Sequence, residues 1–272
     1  MPRKRSASQY IISFSFHEQP SCFHLPMLYF ILFTALDNKT GGNKIMNQMK
    51  EISKHISSNF LDDINLQYFR SSLTMLTAMM VMVTSFLAQS LITEAQAAEP
   101  KITRDVRALE QNGSYLAGLN HRIKEEDSLM HKILTDAMKD SVDLKQAADG
   151  IGDVLRYTLV IRDEDYSRQV PEAMEKLTKN NYKVLKFRNA WGGKFYQGIN
   201  VQLLNPSGIK TELQFHTPNS YAIKQASHEV YEIRRNPAST PTEVAEATAQ
   251  SIAFNDMVKV PSGAKDISWN LE

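Results

Sequence analysis

The chain has 272 residues, with 31 basic against 30 acidic side chains and a formal net charge of +1. A balance that close gives no field for a polyanion, so stable DNA binding is not expected. The single cysteine, Cys22, excludes an internal disulfide and a thiolate metal site.

Residues 1–70 show no hydrophobic period and stay unassigned, and Met46 and Met49 are alternative starts within them. At Ser71 an uncharged run begins, SSLTMLTAMMVMVTSFLAQSLI, and it is followed by Ala95-Gln96-Ala97, which has the form of a signal-peptidase site. We expect 71–97 to be the hydrophobic region and cleavage site of a signal peptide, leaving a domain over 98–272 for export to the periplasm or beyond. The same run is near the ~20 residues that span a bilayer, so a membrane anchor is an alternative. A buried core helix in a cytoplasmic protein is another. Contact with a membrane is expected only through this segment.

Beyond it, Leu109, Leu116, Leu119 and Ile123 fall near helical spacing, interrupted by Gly113 and Gly118. Ile123, Leu129, Ile133, Leu134 and Ala137 then form the stripe of an amphipathic helix, with Arg122, Lys124, Ser128 and Lys132 among its polar positions. Residues 151–161 read as a buried strand with Asp153 at its mouth, where the side chain can cap a turn. A helix over 165–180 accommodates Pro171 if it starts near that residue. A strand over 182–189 follows, then the glycine-bearing loop 190–194.

The next stretch is a hairpin around Asn205-Pro206-Ser207-Gly208. In its second strand Ile209, Thr211, Leu213 and Phe215 alternate with Lys210, Glu212, Gln214 and His216. Side chains of a strand point alternately to opposite faces, so one face is mostly apolar and the other carries an acid, an amide and an imidazole. Such a face is costly to bury without partners and suits the floor of a wet pocket. A helix over 218–235, a break at 237–241 and a last helix over 242–260, expected to pack on the sheet, complete the chain. The order of elements predicts an α+β (mixed α/β) domain, a mixed β-sheet flanked by helices.

Four of these stretches resemble the synthetase domain of RelA/SpoT-like nucleotidyltransferases, in its single-domain, toxin-like branch. Phe195 to Asn200 is similar to that family's G-Y-x-x-I-H stretch, and Glu212 to Thr217 to its E-[IL]-Q-[IFV]-[RH]-T strand. Arg122, Lys124, Ser128 and Lys132 follow its R-x-K-x-x-x-S-[IL]-x-x-K segment, and Asp153 its D-[LI]-x-[GA]-x-R motif. Arg156 and Thr158 depart from the pattern, which usually carries the arginine later. The resemblance implies a nucleotidyltransferase-like fold and pyrophosphoryl transfer from ATP to the ribose 3′-hydroxyl of a guanosine- or adenosine-type nucleotide, or of a tRNA. It implies Mg²⁺ as cofactor, with Asp153 and Glu212 as catalytic and metal-binding residues. Arg122, Lys124, Ser128 and Lys132 would hold the donor triphosphate, Lys194 and Tyr196 the acceptor, and His216 and His228 would complete the nucleotide-binding set. The competing expectation is an exported interaction module that keeps the fold without the chemistry.

Overall fold

The computed structural model describes residues 63–236 and 239–271. The reading of residues 1–62, with both alternative starts, lies outside them. The described residues begin with a long helix, α1 (Asp63–Arg107), which runs through the expected cleavage site without a break. Its part from Thr74 on is the one helix among the described residues long and apolar enough to cross a membrane. The two halves of α1 differ. Met75, Met79, Met82 and Phe86 are exposed, whereas Ala88, Ala95, Ile102 and Val106 are buried in the core of the domain.

Five strands form one mixed sheet in the order β1-β2-β5-β4-β3. They are β1 (Tyr115–Ala117), β2 (Leu155–Val160), β3 (Lys183–Asn189), β4 (Ile199–Leu204) and β5 (Lys210–His216). β2 runs parallel to β5, and the other pairs are antiparallel. Short β1 replaces the helix expected from the leucine spacing before Ile123. Gly113 and Gly118 on either side of it both have positive φ, which a continuing helix forbids. The expected α+β class holds.

The helices after α1 are α2 (Glu126–Asp140), α3 (Leu144–Gly150), α4 (Tyr166–Lys179), α5 (Pro218–Ala226), α6 (His228–Arg235) and α7 (Pro241–Asp256). α4 starts five residues ahead of Pro171, which therefore sits inside it at the cost of one bond to the Ser167 carbonyl. The helix expected over 218–235 is two, divided at Ser227. α7 packs on α5 and α6.

One face of the sheet is the core. Leu155, Tyr157 and Leu159 of β2, Leu213 and Phe215 of β5, and Ile199, Val201 and Leu203 of β4 are all fully buried. They cluster with Tyr166, Val170, Met174 and Leu177 of α4 and with Ile102 and Val106 of α1. Burying each such side chain contributes about 1.5–3 kcal/mol. The other face is polar and carries the candidate site.

Candidate functional site

The strand register sets out the polar face as two rows. Lys186, Gln202, Glu212 and Arg156 lie across β3, β4, β5 and β2, and Arg188, Asn200, Gln214 and Thr158 lie in the row beside them. Glu212 is thus in the middle of the sheet, with Arg156 directly opposite it on the parallel neighbour. Burial, and then the nearby Asp153 carboxylate, push the Glu212 carboxyl above its ordinary pKa.

Asp153 reaches this region because the chain before β2 crosses close to it. A Cβ on Gly152 would lie 3.0 Å from the Gln202 side chain, the register partner of Glu212. On the far side of β2, Lys124 N–H donates to the Val154 carbonyl at 2.9 Å and Arg156 N–H to the Arg122 carbonyl at 2.7 Å. This pairing extends the sheet edge and sets Lys124 Nζ 3.0 Å from Asp153 Oδ2. The other carboxylate oxygen, Asp153 Oδ1, is buried with no hydrogen-bond partner. A buried anionic oxygen without a donor is costly and fits a site built to receive a cation.

Lys224 arrives from above. Thr217 caps α5 reciprocally with Ser220, with Pro218 at its first position, so the chain turns from β5 straight into the helix. Seven residues past that cap, Lys224 Nζ donates to Gln214 Oε1. Burial, reinforced by Arg156 and opposed by Glu212, lowers the ammonium to a pKa of about 8. The face therefore gathers Asp153 and Glu212 among Lys124, Arg156 and Lys224. Among the described residues no group of three or more His, Cys, Asp or Glu could hold a metal. Two carboxylates suffice for a hard cation that also takes substrate phosphates.

The loop after β3 forms the rim. Trp191 is buried edge-on against Tyr166, with ring centroids 5.2 Å apart. Asn255 of α7 donates to the Gly193 carbonyl at 2.7 Å and accepts at its own carbonyl from Gln197 Nε2 at 3.1 Å. A cleft of about 370 Å³ lies along this loop, lined by Arg188, Trp191, Lys194, Phe195 and Tyr196 among others. The Tyr196 hydroxyl bonds to Asn200 Oδ1 and, at 2.8 Å, to His216 Nε2, while His216 Nδ1 meets Ser220 Oγ at 2.9 Å. Burial holds the His216 pKa well below its usual value, so the ring is neutral. His216 thereby fixes Tyr196 rather than facing solvent. The backbone must pass close here: a Cβ on Gly198 would stand 2.9 Å from the His216 ring.

The structure brings some of the expected residues together and leaves others apart. Asp153, Glu212 and Lys124 converge, and Tyr196 and His216 meet at the margin of the same face. Arg122 does not join Lys124. Its Nε donates to Glu99 of α1 at 2.6 Å and its Nη1 to the Leu119 carbonyl at 2.5 Å. Ser128 is exposed on α2, and Lys132 pairs with Asp136 one turn on at 3.2 Å. Lys194 lines the loop cleft with Tyr196, its Nζ 5.6 Å from the Phe195 ring, whereas His228 is exposed beside Tyr231. Sequence reasoning missed Arg156 and Lys224 as site residues. Arg156 was visible as a polar position in a buried strand. Lys224 needed the cap at Thr217, whose Thr-Pro-x-Ser order is a helix-start signal.

The sequence matches no protein-family model and no curated protein. Among solved structures, it is similar to the Type VI effector Tas1, crystallised with its immunity protein, at 19% identity and a TM-score of 0.42, over 62% of this chain and 94% of that one. It is similar to the small alarmone synthetase 1 of Bacillus subtilis bound to its product pppGpp, at 15% identity and a TM-score of 0.44, over 61% and 89% of the two chains. A GTP pyrophosphokinase family protein of Streptococcus pneumoniae is similar at 11% identity and a TM-score of 0.38, over 65% of this chain and 85% of that one.

Proposed function

We propose that the chain is a RelA/SpoT-type pyrophosphokinase that moves the β,γ-pyrophosphoryl group of ATP to the ribose 3′-hydroxyl of a nucleotide or tRNA. The observation that carries this reading is the pair Asp153 and Glu212. Asp153 has a buried oxygen without a partner, and the Glu212 carboxyl is raised by burial and then by the Asp153 carboxylate. Of the other two motif stretches named above, Phe195 to Asn200 and the position of Lys124 add support.

The carboxylates fit Mg²⁺, which Asp153 and Glu212 would hold together with donor phosphates. Bound there, it supplies the positive charge that joins two like-charged groups and neutralises the transferring phosphates. The chain's own residues do the rest. Glu212, central in the sheet and raised in pKa, accepts the proton of the acceptor hydroxyl as its oxygen bonds to the β-phosphorus. The bond from that phosphorus to the α-phosphate oxygen breaks, and AMP leaves. Arg156 offers a planar fork to phosphate oxygens and Lys224 a point charge. Lys124 exchanges Asp153 for a phosphate. Tyr196, braced by His216 and Asn200, presents its ring beside the loop cleft, where an acceptor base would stack.

We further read the protein as an exported toxin or effector, on the support of the apolar run before Ala95-Gln96-Ala97. N-terminal sequencing of protein from the native host tests this reading. A start near Ala98 supports it, and a cytoplasmic form that keeps the run contradicts it. For the activity, residues 98–272, the form left by the expected cleavage, are incubated with Mg²⁺, labelled ATP and a panel of nucleotides and tRNA. The expected result is a new pyrophosphorylated product with equal AMP, abolished by a chelator. Nucleotide binding with no turnover on any acceptor would favour the interaction module instead.

A further inference from the structure

Resting on that reading of the site, we infer that the N-terminal helix is an inhibitory strap that holds the donor-binding segment out of action until its leader half is removed. α1 grips the segment 122–126 twice. Ser85 Oγ and Gln89 Nε2 donate to Glu126 Oε1 at 2.6 and 3.1 Å. Further along the same helix, Glu99 Oε1 accepts from Arg122 Nε at 2.6 Å. Glu99 is itself set in a chain: Thr103 Oγ1 lies 2.5 Å from it and 2.6 Å from the buried Tyr157 hydroxyl. The Glu99 carboxyl is held below its ordinary pKa by Thr103 and then Arg122, so it stays an anion there. Arg122 is therefore occupied by a carboxylate, although its backbone pairs with Arg156 and Lys124, two residues on, is at Asp153.

The helix is built to lose this grip when shortened. Pro100 lies in the interior of α1, where a proline removes a hydrogen bond and normally breaks a helix. A chain beginning at Ala98 puts Pro100 at the first helical position, the one that favours proline. Glu99 then becomes the flanking cap residue with non-helical backbone, and its side chain turns back toward the helix's own N–H groups rather than to Arg122. Ile102 and Val106 stay in the core, and the Ser85 and Gln89 contacts vanish.

Access to the cut depends on folding. In the folded chain the site lies within continuous helix, with Ala95 1% exposed and Gln96 and Ala97 at the surface, so it must leave the helix to be cut. A chain that folds before export keeps its strap and cannot be cut. A chain cut while still unfolded folds without one. The producing cell is thereby shielded from the activity.

The test uses the full chain in mild detergent, comparing wild type, Glu99→Gln and the pair Ser85→Ala with Gln89→Ala. Two readouts are taken: binding of MgATP, and modification of Arg122 by phenylglyoxal, followed by mass spectrometry. Glu99→Gln is expected to tighten MgATP binding about tenfold, the size of a hydrogen bond to a charged partner, and to raise Arg122 modification. The double variant should shift both in the same direction by less. Unchanged Arg122 modification in Glu99→Gln overturns the strap. So does raised modification with unchanged or weaker MgATP binding. If no form binds MgATP, the pyrophosphokinase reading of the site fails, and the strap with it as a device acting on nucleotide. Arg122 modification then still reports whether the Glu99 contact protects that arginine.

Discussion

The two faces of the central sheet are made by the same strands and obey opposite rules. On one face Leu213, Phe215, Val201 and Tyr157 are sealed under α4 and the end of α1 and held by apolar packing. On the other, Glu212, Gln202, Gln214 and Arg156 stand one residue away along the same backbone, and the carboxylate pair keeps one buried oxygen, Asp153 Oδ1, without a partner and the Glu212 carboxyl above its ordinary pKa. The packed face positions the polar one: a residue on β5 cannot shift without disturbing its buried neighbours. Variation on the core face should therefore change stability, and variation on the polar face should change chemistry.

The largest expected effect is on the polar face. Glu212→Gln keeps shape but loses the base, and transfer should fall about a thousandfold. Because the native pKa of Glu212 is raised, the folded protein holds its proton more tightly than the unfolded chain does. Stability linked to this group is present at acid pH and is lost as pH rises above the ordinary carboxylate value. The variant should therefore melt no lower than wild type at neutral pH and should lack that acid-side gain; melting curves at pH 4 and 7 check this.

Leu213→Ala, next but one to nothing but core, reverses the pattern. It should cost about 3 kcal/mol in denaturant unfolding and leave the rate per folded molecule nearly unchanged. A variant that keeps its stability but loses turnover would break the distinction between the faces.

Lys224→Met sharpens it. Loss of the cation should raise the apparent KM for ATP about tenfold while changing stability little. The sign of its pH dependence is fixed: a lysine whose native pKa is about 8, below its ordinary 10.5, costs stability while charged, and stability recovers as pH rises between those values. That rise should disappear in the variant. Smallest is Tyr196→Phe, which removes the hydroxyl from His216 and Asn200 and should cost about 1 kcal/mol of stability while keeping acceptor stacking.

The alternation along β5 made both faces legible in advance, because a period of two is a property of neighbouring residues. The turn at Asn205 to Gly208 and the pairing of Asp153 with the strand mouth were legible for the same local reason. β1 was not, since three residues carry too little pattern against leucines at helical spacing. Neither was the split at Ser227, where no proline or glycine marks the break. The placement of Arg122 was beyond reach of the sequence: its motif predicts phosphate, and only the return of α1 across the sheet edge brings Glu99 to it. Lys224 illustrates the remaining class, a side chain whose meaning depends on the angle at which one capped helix leaves a strand.

The central claim is that Asp153 and Glu212 work as one unit, and single-turnover pyrophosphoryl transfer by wild type, Asp153→Asn, Glu212→Gln and the double variant tests it most directly. Melting curves on the same samples confirm the fold. The account predicts that each single variant loses nearly all activity, that excess Mg²⁺ partly rescues Asp153→Asn, and that the double variant is hardly slower than Glu212→Gln alone. Losses that multiply in the double variant, or a single variant with a near-wild-type rate, would contradict it.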